Sequence, residues 1–276
     1  MSALLATLSS LLWGSSDFLG GLMSKRFRPL AVTGFSQFFG LLTALILLLA
    51  SGEWEAPSLH NYLIPGAAAG ICGFFGLISY YSGLSTGQMG VVAPISSLSA
   101  LIPLIYAFSL GESPRRIQIV GMAIALIGGF LASGPDLARG IHIKPILFGL
   151  GAALGFGSAL VLMTKGSSDS PLLTMTTMRV TTVSICLILA LSTRSHGGFA
   201  RRDLPMLIAI GVLDFMGNYL LGVATTKGLI SIAMVLGSLF PIVTSILAFA
   251  ILKERLHLLQ YLGVIFAVLG VAFISF

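Results

Sequence analysis

The sequence predicts an all-α polytopic membrane protein, with ten transmembrane helices in two inverted five-helix repeats. Three observations carry that prediction: a shortage of charge, apolar segments of bilayer length, and an internal repeat. Of 276 residues, 56% are hydrophobic and 9% are charged, and the mean hydropathy is +1.02. A soluble domain carries about 25% charged residues. Fifteen Lys/Arg and nine Asp/Glu cannot cover a water-facing surface of this size. The composition therefore excludes a soluble globular enzyme, a nucleic-acid binder and a disordered chain. The formal charge of +6 comes from bases that form no continuous stripe, which fits membrane-flanking loops rather than a nucleic-acid surface.

A bilayer core of about 30 Å takes about 20 helical residues to cross. Breaks at charged, Pro-rich or Ser/Gly-rich stretches divide the chain into ten such pieces: Ala3–Met23, Leu30–Ala50, Tyr62–Gly83, Met89–Leu110, Ile117–Ser133, Ile146–Thr164, Leu172–Thr193, Leu204–Thr226, Gly228–Leu252 and Leu256–Phe276. The segments are too long for barrel strands, which run about ten residues with alternating polarity. The first piece lacks a basic leader region and is longer than a signal-peptide core, so it reads as a retained span. Cys72 and Cys186 lie inside apolar stretches, which argues against a disulfide framework. His60, His142, His196 and His257 fall in or beside loops without metal-ligand spacing, and the expectation is no metal and no cofactor.

The repeat has an offset of 142 residues. Leu110–Ser133 matches Leu252–Ser275 at Leu110/Leu252, Glu112/Glu254, Gln118/Gln260, Gly121/Gly263, Ala125/Ala267, Gly128/Gly270 and Ser133/Ser275. Pro29-Leu30 matches Pro171-Leu172 at the same offset. The expected domains are residues 1–135 and 144–276, each of five spans, with 136–143 as linker. Because five is odd, the second copy enters the membrane with opposite orientation, the architecture of many secondary transporters.

The residues Trp13-Gly14-Ser15, the Gly111-Glu112 and Lys253-Glu254-Arg255 junctions, the Gln118/Gly121 and Gln260/Gly263 pairs, and Ser238-Leu239-Phe240-Pro241 resemble the EamA family of the drug/metabolite transporter superfamily. The resemblance covers nearly the whole chain. It implies ten spans, two repeats, and export or exchange of small metabolites, often amino acids or their relatives. It also implies a multi-pass protein of a bacterial cytoplasmic membrane. Two departures make the halves chemically unequal: Ser99 stands where the second half has Pro241, and Gln37 stands where it has Arg179.

A charge at a helix centre costs about 2.5–3.5 kcal/mol on insertion scales, so such a residue faces a cavity or a partner. Asp17, Arg179 and Asp214 are the charged residues well inside spans. Asn218 follows Asp214 by four residues, and Trp13 precedes Asp17 by four, so each shares its neighbour's helix face. Together with Gln37 and the aromatics Tyr80 and Tyr81, these are the candidates for a substrate-binding or coupling site. Arg179 suits a carboxylate or phosphate. Asp17 or Asp214 suits an amine or a coupling proton. The competing reading is an ion pair of Arg179 with Asp214 or Asp17 that only holds helices together, with the aromatics as packing.

Pro94, Pro103 and Pro241 remove backbone donors and free the carbonyls of Gly90, Ser99 and Gly237, so the fourth and ninth spans should kink beside the site. Glu112 and Glu254 read as loop ion pairs or helix-junction anchors, and Gly66-x-x-x-Gly70 and Gly151-x-x-x-Gly155 as close-packing motifs. Orientation is contested. With the N-terminus inside, the inner loops hold Arg115, Arg116, Lys165 and Lys227, and the outer side holds ten bases. The positive-inside rule then puts both termini outside, whereas the family resemblance implies both inside.

The leading functional expectation is a secondary transporter, not an enzyme. Its partners would be a small-molecule substrate, the lipid bilayer, and a coupling proton or counter-substrate, without nucleic acid. No Walker-type phosphate loop is present to drive it with ATP. An uptake carrier for a sugar or nucleotide-sugar is the alternative. A channel or a membrane-embedded enzyme is the reading from a different class.

Overall fold

A computed structural model describes residues 1–53, 58–85, 89–133, 143–193, 197–253 and 257–275. Glu254, Arg139, Arg194, Arg255, His142, His196 and most of the expected linker lie outside the described residues. The described chain is helical throughout: α1 Ser2–Ser24, α2 Pro29–Ser51, α3 Leu59–Ser85, α4 Met89–Ser97, α5 Leu101–Ser109, α6 Arg116–Ala132, α7 Ile143–Ser167, α8 Pro171–Thr193, α9 Leu204–Thr226, α10 Ile230–Gly237, α11 Phe240–Leu252 and α12 Leu258–Ser275. α4 and α5 are halves of one crossing, joined by a tight 3-10 turn at Leu98–Ala100, and α10 and α11 are halves of another.

Among the described residues, eight segments are long and apolar enough to cross a membrane, and α6 is a shorter apolar helix of 17 residues. α1 is 23 residues long but diluted by serines and Asp17. Its polar side is turned onto protein: the Ser9 hydroxyl donates to the Gly217 carbonyl at 2.7 Å and the Ser16 hydroxyl to the Ile210 carbonyl at 3.0 Å. Polar groups satisfied this way do not meet lipid, which is why a ten-fold hydropathy pattern is weakest at the first span.

The helices pack mainly across the two halves. α3 lies against α7 and α8, α9 lies against α1 and α2, α2 touches α8, and α6 pairs with α12. Small residues allow these approaches. A Cβ on Gly66 or Gly70 would sit 2.8 and 2.6 Å from the Thr174 and Met178 carbonyls of α8, and one on Gly155 would sit 2.6 Å from the Gly76 backbone of α3.

The repeat-matched residues at the end of each half meet one another. A Cβ on Gly128 would fall 2.4 Å from the Ala267 nitrogen, and one on Gly270 would fall 2.5 Å from the Ala125 nitrogen. Gln118 accepts the Arg115 N–H at 3.0 Å and donates to the Ile274 carbonyl at 3.2 Å. Gln260 accepts the His257 N–H at 2.9 Å and donates to the Ala132 carbonyl at 3.4 Å. Each glutamine closes the start of its own helix and the end of its partner's, so α6 and α12 run antiparallel. The start of α6 and the end of α12 share a face. The start of α1 is at the end of α9, where the Ser2 hydroxyl donates to the Ala224 carbonyl at 2.8 Å.

Candidate functional site

The breaks in the two interrupted crossings follow from proline chemistry. Proline lacks an N–H and its ring crowds the carbonyl four residues back. Pro103 is the third residue of α5, four after Ser99 in the 3-10 turn, and Pro241 is the second residue of α11, four after Gly237 at the end of α10. Pro94 sits within α4, and the helix continues through it to Ser97. Ser99 and Ser238, one beside each break, both line a cavity of about 80 Å³.

That cavity lies among helices of both halves, and α6 and α12 add nothing to its lining. Six of the sequence candidates line it: Trp13 and Asp17 from α1, Gln37 from α2, Arg179 from α8, and Asp214 with Asn218 from α9. Phe156, Leu160, Met163, Met178 and Phe240 make most of the remaining wall apolar. Trp13 stands edge-on to Phe240, ring centroids 6.4 Å apart.

Tyr80 and Tyr81 do not belong to the lining. They are 2% and 1% exposed and pack within the protein, Tyr80 against Phe156 and the Tyr81 hydroxyl against Gly20. The physical reason is the position of α3, wedged between α7 and α8 with α1 behind it, so that its bulky face fills space rather than borders it.

Arg179 is 2% exposed and is the centre of the polar cluster. Its Nη1 reaches Asp214 Oδ2 at 2.9 Å and also donates to Gln37 Oε1. Gln37 Nε2 donates to Asp214 Oδ2 at 2.8 Å, and Asn218 Nδ2 donates to the Asp214 backbone carbonyl at 2.8 Å. The guanidinium lies over the Phe215 ring at 5.9 Å. The ion-pair reading of Arg179 with Asp214 is thus realised on the cavity wall itself.

The pair leaves part of the arginine unused. Nε and Nη2 of Arg179 are buried with no hydrogen-bond partner among the described residues. Buried donors without acceptors are costly, and this Nε–Nη2 edge has the planar spacing that takes a carboxylate in two parallel bonds. Asp17 makes no hydrogen bond or ion pair among the described residues. Arg179, with two donors unpaired, and Asp17 both belong to the residues that line the cavity. Among the described residues, no group of three or more His, Cys, Asp or Glu side chains could hold a metal ion.

Three lining residues escaped the sequence reading and had usable signals. Thr182 follows Arg179 by three residues and so shares its helix face; its hydroxyl donates to the Gly70 and Met178 carbonyls at 3.1 and 3.0 Å. Ser99 and Ser238 adjoin the proline-induced breaks, where a small polar residue can stand beside freed carbonyls.

The sequence profile of the EamA-like transporter family matches this chain twice, over residues 1–134 and 143–276. An uncharacterized protein of Methanocaldococcus jannaschii is 28% identical over 130 residues, which make up 47% of this chain and 95% of that protein. A solved crystal structure of a protein without a stated function superimposes with a TM-score of 0.81 at 17% identity, covering 99% of this chain and 95% of its own. At that identity the likeness speaks for the fold alone.

Proposed function

The chain belongs to the EamA-like transporter family, and from that premise we propose that it is a secondary transporter moving a small amphipathic metabolite by alternating access at the cavity between its halves. The observation that carries this reading is Arg179, a buried arginine with unpaired donors among the residues lining a cavity built from both halves. The substrate has a negatively charged or acceptor end that docks on these donors and an apolar body that lies against Met163, Met178 and Phe156. Asp17 takes a cationic end or a coupling proton. An amino-acid-like compound has both ends, and the direction is export or exchange.

Inverted repeats support alternating access because each half can present the same surfaces to opposite sides. Three observations support that arrangement here. The Gln118 and Gln260 clasps are each other's counterparts at the 142-residue offset. The fourth crossing ends where the ninth begins, with Glu112 against Ile230. The Methanocaldococcus jannaschii relative corresponds to about half of this chain.

The test is a panel of labelled amphipathic compounds, scored first by thermal stabilisation of the purified chain and then by counterflow in liposomes. The expected result is saturable exchange of a compound that also stabilises. Stabilisation by no compound of the panel, with flux that never saturates, overturns the transporter reading in favour of a channel.

A further inference from the structure

α5 ends on Gly111 in the left-handed region at φ 86°. The Gly111 N–H donates to the Phe108 carbonyl at 3.0 Å and the Glu112 N–H to the Ala107 carbonyl at 3.2 Å, a two-bond helix close that fixes where Glu112 leaves the helix. Its carboxylate then accepts the Ile230 N–H at 2.6 Å and the Ser231 N–H at 2.9 Å. These are the first two donors of α10, groups that a helix start leaves without internal partners. A carboxylate is favoured there by charge-assisted bonding and by the helix dipole.

The cap joins the two halves, because Glu112 follows the fourth crossing and α10 opens the ninth. α10 is eight residues long, and past its far end at Gly237 stand Ser238 and Phe240 of the cavity wall. Glu112 therefore grips one end of a short rod whose other end is the wall. The grip sits on the face that carries Ser2, where the Ser2 hydroxyl makes a second tie to α9. On the opposite face the corresponding tie among the described residues is Arg26 to Asp203 at 3.7 Å, with the Arg26 side chain 56% exposed. An exposed pair of that kind contributes little.

We propose that Glu112 is the latch that holds the cavity shut toward the face carrying Ser2, and that it releases α10 when the cavity opens there. The proposal rests on the transporter reading, and its readout is access to the cavity rather than flux. Glu112 is a positioning residue: it touches no substrate and acts through α10.

The experiment uses the full chain with Cys72→Ser, Cys186→Ser and the reporter Ser238→Cys in membrane vesicles of both orientations. A membrane-impermeant maleimide is added to one face at a time. Glu112→Gln removes the charge and one of the two acceptor oxygens. It should raise labelling from the Ser2 face about tenfold, the scale of one charge-assisted bond lost, and lower it from the other. Ile230→Pro removes one of the two donors by another route. Proline is accepted at the first helical position, and Leu229 before it is already extended at ψ 128°. It should shift labelling in the same direction.

An unchanged ratio between faces in either folded variant, whatever happens to thermal stability, overturns the latch and leaves Glu112 as a helix cap. Counterflow by the unaltered chain, run in parallel, tests the transporter reading separately.

Discussion

Gln37 and Arg179 stand 142 residues apart, at the same register of the second and seventh crossings, and their side chains meet, with Arg179 Nη1 donating to Gln37 Oε1. Two residues matched at the 142-residue offset thus touch each other and share Asp214. The single substitution Arg179→Gln leaves the Asp214 carboxylate without its cation. Removing one partner of a buried pair costs about 3–5 kcal/mol. The exchange Gln37→Arg with Arg179→Gln puts a cation back on the other helix at the same meeting point. Thermal melts in detergent should show the exchange recovering more than half of the stability lost by Arg179→Gln. An exchange as unstable as the single variant would mean that Asp214 is reached from one side only.

The helices α6 and α12 are the part of the repeat most visible in sequence. Gly121, Ala125 and Gly128 match Gly263, Ala267 and Gly270 at the 142-residue offset, and each set is pressed against the other helix's backbone. Gly128→Leu forces at least a methylene into a site where a Cβ alone meets the Ala267 nitrogen at 2.4 Å. Overpacking of this kind costs about 1–3 kcal/mol, and the melting temperature should fall accordingly. The cavity, which α6 and α12 do not line, should keep its ligand affinity. A loss of affinity without a loss of stability would place this pair in the moving machinery rather than in the scaffold.

Much of the fold was legible from residues that lipid forbids. The all-helical class, the membrane-length apolar segments and the three charges inside helices follow from composition, spacing and insertion cost. Two things were not legible. Which acid pairs with Arg179 depends on how α8 and α9 are rotated about their axes, and a sequence fixes the spacing along a helix without fixing the rotation against neighbours. The role of Glu112 was legible only as an anchor. Its partners are the backbone N–H groups of Ile230 and Ser231, and a backbone donor leaves no side-chain signature. Tyr80 and Tyr81 show the same limit, since the spacing that put an aromatic pair in a small-residue helix does not tell that the neighbouring helices cover it.

Both ends of the chain should report the same side of the membrane. The Ser2 hydroxyl is tied to the end of α9, Glu112 caps the start of α10, and Gln118 joins the start of α6 to the end of α12. Reporter fusions at the two ends, or single-cysteine labelling near them, should agree. The same map decides whether the bases Lys25, Arg26, Arg28, Arg201 and Arg202 lie on the cytoplasmic side, as their number favours. Opposite signals from the two ends would mean an odd number of crossings and would break the pairing of α6 with α12.

The central claim is that Arg179 and Asp17 bind cargo in a cavity shared by the halves. The most direct measurement is counterflow of a stabilising compound in liposomes containing the unaltered chain, Arg179→Lys or Asp17→Asn. Lysine keeps the charge but loses the planar two-donor edge. The account predicts saturable exchange by the unaltered chain, with an apparent affinity at least about tenfold weaker in Arg179→Lys, the scale of one charge-assisted bond lost, and exchange reduced in Asp17→Asn. Exchange at unchanged affinity and rate in both variants would contradict it.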